Sequence, residues 1–303
     1  MSVIVSNLTK SYGRQNAVDD ISFEVKSGEI LGFLGPNGAG KSTTMKIATG
    51  YLSPSKGTIK VQDFDVSMHS MDVRRNIGYL PEHNPLYLDM YVLEYLSFIG
   101  ELHGMGGRKL RSRIKEMIEL CGLEREQKKK IGTLSKGYRQ RVGLAQSLIH
   151  NPPVLILDEP TTGLDPNQIV EIRKVIQEIG KEKTVIFSTH IMQEVQAICT
   201  RAVIINLGKI VADNAVTSLR GDTWIEVEFA QAIDVEILHK IPEIHTLTPI
   251  TAQKYKILAE SGRDIRPEIF KIAAEQNWTL LGLQQQENSL ESVFQSLTKK
   301  DTP

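Results

Sequence analysis

A phosphate-binding octet constrains the fold of this chain more than any other feature. Residues 35–42 read GPNGAGKS, which has the form GxxxxGK[ST], and they follow the apolar stretch Ile30 to Leu34, which is typical of a strand. Glycines let successive backbone N–H groups converge on a phosphate that side chains would block. Lys41 is expected to neutralise the β- and γ-phosphates, and the Ser42 hydroxyl to hold Mg²⁺. The alternative, a chance glycine turn, does not explain the strand before the octet and the helix after it.

Two more apolar stretches end in polar side chains. Val154 to Leu157 has no polar break, which favours a strand buried in a parallel sheet, and it leads into Asp158 and Glu159. Asp158 can bind Mg²⁺ directly or through water, and Glu159 is placed to polarise an attacking water. Carboxylates after buried strands are sometimes structural. The strand from Thr184 ends in Thr189-His190, where a lone histidine usually has an ordinary packing role.

A third motif, LSKGYRQR at residues 134–141, lies between the octet and the acidic pair. Ser135 and Gly137 offer a hydroxyl and bare backbone N–H groups just before an amphipathic helix, which is the chemistry of a phosphate clamp. Taken together and in this order, the three motifs resemble the ATPase subunit of an ABC transporter. The resemblance covers residues 1 to about 215.

The resemblance implies an α/β fold of the P-loop NTPase class, with a RecA-like parallel sheet, an N-terminal antiparallel β subdomain and an inserted helical subdomain at about 84–150. Helical periods support the insertion, with Tyr91, Glu94, Tyr95, Phe98 and Ile99 on one stretch and Ile114, Met117 and Ile118 on another. Residues 216–303 are expected to form a small α+β accessory domain of βαββαβ type. A packing or dimer-stabilising role is preferred for it over ligand sensing, because clustered polar residues are lacking.

The resemblance also assigns roles to single residues. Tyr12 stacks on adenine, His190 contacts the γ-phosphate, Asp165 belongs to a turn that links two subunits, and Ser135 and Gly137 close over ATP held by the other copy. The predicted catalytic residues are Glu159 and His190. The predicted metal ligands are Ser42, Glu82 and Asp158. The predicted nucleotide-binding residues are Tyr12, Gly35, Pro36, Asn37, Gly38, Ala39, Gly40, Lys41, Ser42, Thr43, Glu82, Ser135, Gly137, Asp158 and Asp165.

Glu82 departs from the family, which usually places glutamine there. A carboxylate offers Mg²⁺ a harder, charged oxygen but repels the γ-phosphate, so the sign of the net effect stays open. Segments 79–87, 129–146 and 157–173 resemble the gliding-motility-associated GldA branch, in which Glu82 is the ordinary residue. Residues 289–298 resemble the tail of ATPases that serve ABC-2 type exporters.

The expected cofactors are ATP and Mg²⁺, and the expected partners are a second copy and integral membrane permease subunits on the cytoplasmic face of the inner membrane. Thirty-six basic residues balance 36 acidic ones, so global charge gives no reason to expect nucleic acid. An ABC ATPase of translation or DNA repair is the main alternative, although two fused cassettes or a long coiled insertion are not seen. A regulatory module without turnover is the other, against which Lys41, Glu159 and His190 argue.

Overall fold

The structure is a computed structural model, and it describes residues 2–218, 223–239, 241–259 and 264–287. The chain divides into two compact units, residues 1–216 and 217–303. The tail motif at 289–298 lies outside the described residues. Among the described helices, none is both long and apolar enough to span a bilayer.

The first unit contains ten strands and seven α-helices among its described residues. The strands are β1 (Val3–Tyr12), β2 (Gln15–Val25), β3 (Ile30–Leu34), β4 (Lys56–Val61), β5 (Phe64–Asp65), β6 (Ile77–Leu80), β7 (Val154–Asp158), β8 (Thr184–Thr189), β9 (Arg201–Asn206) and β10 (Lys209–Ala215). The helices are α1 (Lys41–Ala48), α2 (Ser70–Asn76), α3 (Val92–Leu102), α4 (Gly107–Leu120), α5 (Lys136–Leu148), α6 (Pro166–Gly180) and α7 (Met192–Ile198).

A six-stranded sheet forms the centre of this unit, in the order β10-β9-β3-β8-β7-β6. The pairs from β9 to β6 are parallel, and β10 adds an antiparallel edge. Every residue of β3, β7 and β8 is buried, as expected for uninterrupted apolar strands covered on both faces. The carboxyl ends of these three neighbours therefore lie side by side, which confirms the predicted parallel core and brings residues 35, 159 and 190 to one edge.

A second, antiparallel sheet has the order β2-β1-β4-β5. Its apolar residues share one core with the central sheet, in which Phe23 packs against Phe33 with ring centroids 5.3 Å apart. This contact fixes the antiparallel layer against the strand that leads into the phosphate loop.

Helices α3, α4 and α5 form the segment between β6 and β7. Helical periodicity before Asn151 predicts that Val142, Ala145, Leu148 and Ile149 point inward, and all four are buried, the last as the C-cap of α5. The Tyr95 hydroxyl of α3 donates to Gln146 Oε1 at 2.6 Å. In α3 the predicted stripe is partly wrong: Tyr91 is 48% exposed and the buried side chains are Val92, Tyr95 and Leu96. Tyr91 precedes the helix as its N-cap, because Glu94 accepts from its backbone N–H at 3.1 Å.

The second unit follows strand, helix, strand, strand, helix, strand: β11 (Thr223–Phe229), α8 (Val235–Leu238), β12 (Ile244–Pro249), β13 (Lys254–Ala259), α9 (Arg266–Glu275) and β14 (Leu280–Glu287). All pairs in its sheet, β12-β13-β11-β14, are antiparallel. The sequence pattern over residues 233–241 predicts a helix, and the helix found there spans only Val235–Leu238. Asp234 caps its start by accepting from Glu236 N at 3.2 Å, and Pro242 disfavours helical backbone at the residue before it.

Candidate functional site

The loop between β3 and α1 is shaped by close backbone approaches. Gly40 has φ of 109°, and a Cβ added there would lie 2.4 Å from the carbonyl oxygen of Ala17. No side chain can occupy that place, so the octet needs glycine at residue 40 for space as well as conformation. The Lys41 Nζ donates to the carbonyls of Gly35 at 2.7 Å and Pro36 at 3.2 Å. The ammonium therefore lies inside the curl of the loop.

The loop opens into a cleft of about 320 Å³. Most of the predicted nucleotide-binding and catalytic residues line it, whereas the loop residues Gly35, Pro36 and Ala39 do not. The lining residues are Ala17, Asn37, Gly38, Gly40, Lys41, Ser42, Thr43, Glu82, Glu159, Thr162 and His190. The fold thus brings the octet, the acidic residue after β7 and the histidine after β8 into one cavity.

Glu159 is the centre of the hydrogen-bonding network in this cleft. Its Oε1 lies 3.3 Å from Lys41 Nζ, its Oε2 accepts from the Thr162 hydroxyl at 3.3 Å, and His190 Nδ1 lies 2.9 Å from Oε2. The residue is 5% exposed and has φ of 51°, a left-handed conformation that non-glycine residues rarely adopt. Such a backbone outlier beside a reactive group is typical of functional sites.

Asp158 lies one residue earlier and is 1% exposed. Its Oδ1 accepts from the Ser188 hydroxyl at 3.0 Å, and the Ser42 side chain also hydrogen-bonds to it. Burial raises the pKa of this carboxyl, and the two hydroxyls offset part of that rise because they stabilise the charged form. Asp158, Ser42 and Glu82 line a neighbouring cavity of about 410 Å³ together. Hard oxygen donors converging beside a phosphate loop fit Mg²⁺.

Four predicted residues lie away from the cleft. Tyr12 ends β1 with 53% of its surface exposed and Lys10 Nζ 5.4 Å from its ring centroid. Ser135 is the N-cap of α5, where its Oγ accepts from Tyr138 N at 3.4 Å. Asp165 caps α6 by accepting from Gln168 N at 2.9 Å. Gly137, the fourth, is buried in the first turn of α5.

Gly137 is packed closely by its own chain. A Cβ added there would lie 2.6 Å from the Gln168 side chain of α6. A side chain at residue 137 would therefore have to displace the end of the Gln168 side chain from its place between α5 and α6.

Sequence reasoning missed three hydroxyl or small residues of the site: Thr162, Ser188 and Ala17. Thr162 and Ser188 hydrogen-bond to the two carboxylates, and Ala17 lines the cleft from β2. Thr162 lies three residues after Glu159, a spacing that could have indicated a turn contact. Nothing local marks either of the others, because Ser188 meets Asp158 through the pairing of β8 with β7 and Ala17 belongs to the separate antiparallel sheet.

A partly apolar groove adjoins the cleft. Its first part shares Ser42 and Glu82 with the nucleotide edge, and Tyr51 and Tyr79 join it to a second cavity of about 400 Å³. Tyr51 is 75% exposed, whereas the Tyr79 hydroxyl is buried without a hydrogen-bond partner. Burial raises the pKa of Tyr79, and the carboxylates of Asp158 and Glu82 add to that rise.

Comparison with known proteins agrees with this geometry. Residues 18–162 match the family model described as ABC transporter. The chain is 35% identical to the linearmycin resistance ATP-binding protein LnrL of Bacillus subtilis over 96% of both proteins. It is 33% identical to the bacitracin transport ATP-binding protein BcrA of Bacillus licheniformis over 98% of both. A dimeric post-hydrolysis structure of the ATP-binding cassette MJ0796, bound to ADP and Pi, matches 71% of this chain and 98% of that one, with 26% identity and a TM-score of 0.65.

Proposed function

Since the chain belongs to the ATP-binding proteins of ABC transporters, we propose that two copies close over two ATP molecules and drive a membrane-spanning exporter. The family assigns ATP binding and ATPase activity to the chain, and the relatives named above are ATP-binding proteins of linearmycin resistance and of bacitracin transport, which supports an exporter. The contacts of Glu159 with Lys41 and His190 are the observation that carries the proposed mechanism.

The chemistry follows from those contacts. Lys41 can exchange the Glu159 carboxylate for phosphate oxygens, because both are anions within reach of one ammonium. Glu159 then becomes free to accept a proton from a water beside the γ-phosphate, while His190 orients that carboxylate. Ser42, Asp158 and Glu82 would hold Mg²⁺, which when bound supplies charge neutralisation for the β- and γ-phosphates.

The dimer is proposed because the two phosphate-binding elements do not meet within one copy. Ser135 and Gly137 are absent from the residues that line the cleft of Lys41. Ser135 is exposed at the start of α5, a helix of 13 residues. The backbone N–H groups of its first turn favour an anion. A second copy could bring these groups onto the γ-phosphate. The dimeric structure of the MJ0796 cassette supports this arrangement.

A hydrolysis-deficient variant tests the dimer. Glu159→Gln keeps the size of the side chain and one acceptor oxygen but replaces the other oxygen with an amide NH2, which removes the base, so ATP should bind and persist. We expect light scattering to give the mass of two chains with Mg-ATP and of one chain with Mg-ADP. A monomer under saturating Mg-ATP, or hydrolysis by this variant at the parent rate, would contradict the proposal.

The groove beside the cleft is the proposed contact for the membrane partner. It has exposed Tyr51 at its rim and an apolar floor, and it shares Glu82 with the nucleotide cleft. A partner segment seated there could therefore be moved when nucleotide chemistry moves Glu82. We expect Tyr51→Glu to abolish co-purification with the membrane subunit while ATP binding is kept, and Met68→Glu, at a residue that does not line the groove, to retain it.

The narrower proposal is an ABC-2 type exporter linked to gliding motility, acting at the cytoplasmic face of the inner membrane. The segments around Glu82 and the two later motifs support it by their resemblance to that branch. Two experiments test this narrower proposal: identification of the membrane protein that co-purifies with the chain, and a motility assay after deletion of the gene for this chain. Recovery of RNA or DNA after a high-salt wash would instead favour an ATPase that acts on nucleic acid.

A further inference from the structure

We propose that Glu194 is a positioning residue, which holds the turn that carries His190 through a buried hydrogen bond to Thr189. The inference rests on the proposed role of His190 and Glu159 in hydrolysis. It adds to that role a residue of α7 that lies outside the cleft and outside every sequence motif of the site.

Glu194 is a buried carboxylate with an unusual set of contacts. It is 1% exposed, its Oε2 accepts from the Thr189 hydroxyl at 2.6 Å, and its Oε1 has no hydrogen-bond partner. In the part of the chain that the structure describes, no basic side chain forms an ion pair with it. Burying a carboxylate held by one hydroxyl is unfavourable compared with an apolar side chain. Its presence at this place therefore points to a task other than packing.

Thr189 connects that carboxylate to both sides of His190. The Thr189 hydroxyl donates to Glu194 and accepts from the backbone N–H of Ile191 at 3.1 Å. The Thr189 carbonyl accepts from the backbone N–H of Gly35 at 3.3 Å. The residues before and after His190 are thus fixed by one hydroxyl, and the same threonine is bonded to the first residue of the phosphate loop.

The hydrogen bonds of Thr189 determine the position of the His190 imidazole. Its Nδ1 lies 2.9 Å from Glu159 Oε2, so a small rotation of the turn would separate the two groups. Without an acceptor at residue 194, the Thr189 hydroxyl is free to rotate and its hold on Ile191 weakens. ATP binding depends on the loop and Lys41, which this change leaves in place. The expected defect is therefore in turnover rather than in affinity, since catalytic geometry tolerates little displacement.

Four variants and one control test this. We expect Glu194→Ala and Thr189→Val to lower kcat by about 10- to 100-fold, with the Kd for ATP little changed. Glu194→Gln and Thr189→Ser keep an acceptor and a donor, so they should recover most of the lost turnover. Ile198→Ala is the control, because it removes a buried side chain of the same helix that makes none of these hydrogen bonds. Its kcat per folded molecule should match the parent.

A second readout does not require turnover. The nitrogen signals of the His190 ring in the nucleotide-free chain can be identified among seven histidines with His190→Gln. We expect these signals to shift in Glu194→Ala and Thr189→Val but not in Ile198→Ala. Unchanged signals together with parent kcat in Glu194→Ala would overturn the inference, as would equal losses in Thr189→Val and Thr189→Ser. If Glu194→Ala does not fold, the comparison of Thr189→Val with Thr189→Ser tests the inference instead. A parent without ATPase activity would refute the proposed function alone, because the signals would still report the hydrogen bond.

Discussion

The two units of this protein each contain a short Lys–Glu ion pair, and the surroundings of the two pairs differ. In the first unit Lys41 and Glu159 are 3.3 Å apart with side chains 5% and 6% exposed. In the second unit Lys254 and Glu226 are 2.7 Å apart on neighbouring strands, with 32% and 25% exposed. The shorter pair is the better solvated one. Water screens it and competes for its charges, whereas the longer pair acts in a medium of low polarity.

The two units differ in the same way in the groups that their interiors contain. Around Glu159, the charged side chains of Lys41, Asp158 and Glu159 itself are buried, and Glu159 contacts both Lys41 and the more exposed His190. In the second unit, the described core is built from apolar side chains such as Ile225, Val227 and Phe229, and the Lys254–Glu226 pair is partly exposed on neighbouring strands. Buried charge is destabilising unless it is paired, so its concentration at one edge indicates where the function lies.

We expect the largest effect when Lys41 and Lys254 are replaced in turn and the ATPase rates are compared. Lys41→Met should lower ATP hydrolysis by about 100-fold or more, because the γ-phosphate loses its cation and Glu159 loses its partner. Lys254→Met, the matched change in the second unit, should leave the rate per folded chain unchanged. Steady-state ATPase assays on both variants check this. Similar losses in the two would mean that the second unit participates in turnover.

We expect the buried carboxylate of Asp158, at the carboxyl end of β7, to serve function while it lowers the stability of the fold. Its folded-state pKa is raised, so the native state favours the protonated form, and stability falls as pH rises from the unfolded pKa near 3.8 through the raised value. At neutral pH the charged carboxylate therefore opposes folding. We expect Asp158→Asn to raise the Tm while abolishing Mg²⁺-dependent hydrolysis. A lower Tm in calorimetry would show that the charge stabilises the fold.

Acid should destabilise the first unit through a pair of stacked histidines. His103 and His150 lie with ring centroids 3.9 Å apart and planes at 2°, and His150 Nε2 lies 3.1 Å from the Ile77 carbonyl. Burial, together with the charges of His103, Arg113 and Lys183, lowers the pKa of His150 to about 4, and the hydrogen bond to the Ile77 carbonyl offsets part of that fall.

The contribution of a neutral, buried histidine to folding stability is complete above its unfolded pKa of 6.5. That contribution is lost as the pH falls toward the folded-state pKa of about 4. We expect the Tm of the parent to drop more between pH 7 and pH 5 than that of His150→Gln, whose amide can still donate to Ile77. Thermal melts at the two pH values test this. Equal drops would assign the acid sensitivity to other groups.

The smallest effect is expected at the exposed pair. Glu226→Gln should change the Tm little, and any change should vanish at high salt, because partly solvated ion pairs are weak and screened. Melts at low and high salt measure this. A large, salt-independent loss would contradict the contrast between the two units.

The sequence was sufficient for the elements whose signals are local. The octet at 35–42, the acidic pair after β7 and the histidine after β8 each follow an apolar run, and the predicted parallel sheet brings them together. Glu194 and Ser188 could not be found in this way, because their hydrogen bonds join residues of different elements. The buried face of α3 was mispredicted in part, because Tyr91 lies outside the helix as its N-cap and the packed face runs through Val92, Tyr95 and Leu96.

The roles of Ser135 and Gly137 depend on a second copy, and a mixing experiment measures them most directly. Ser135→Asp retains a good N-cap for α5 but places a negative charge where the γ-phosphate should lie, and Ser135→Asn is its neutral control. Chains with Lys41→Ala or Ser135→Asp should each be inactive alone. Mixed, they should regain ATPase activity, because one site of the heterodimer then combines an intact Lys41 with an intact Ser135 from the other copy. Full activity of Ser135→Asp alone, or no recovery in a heterodimer that forms, would contradict the shared site.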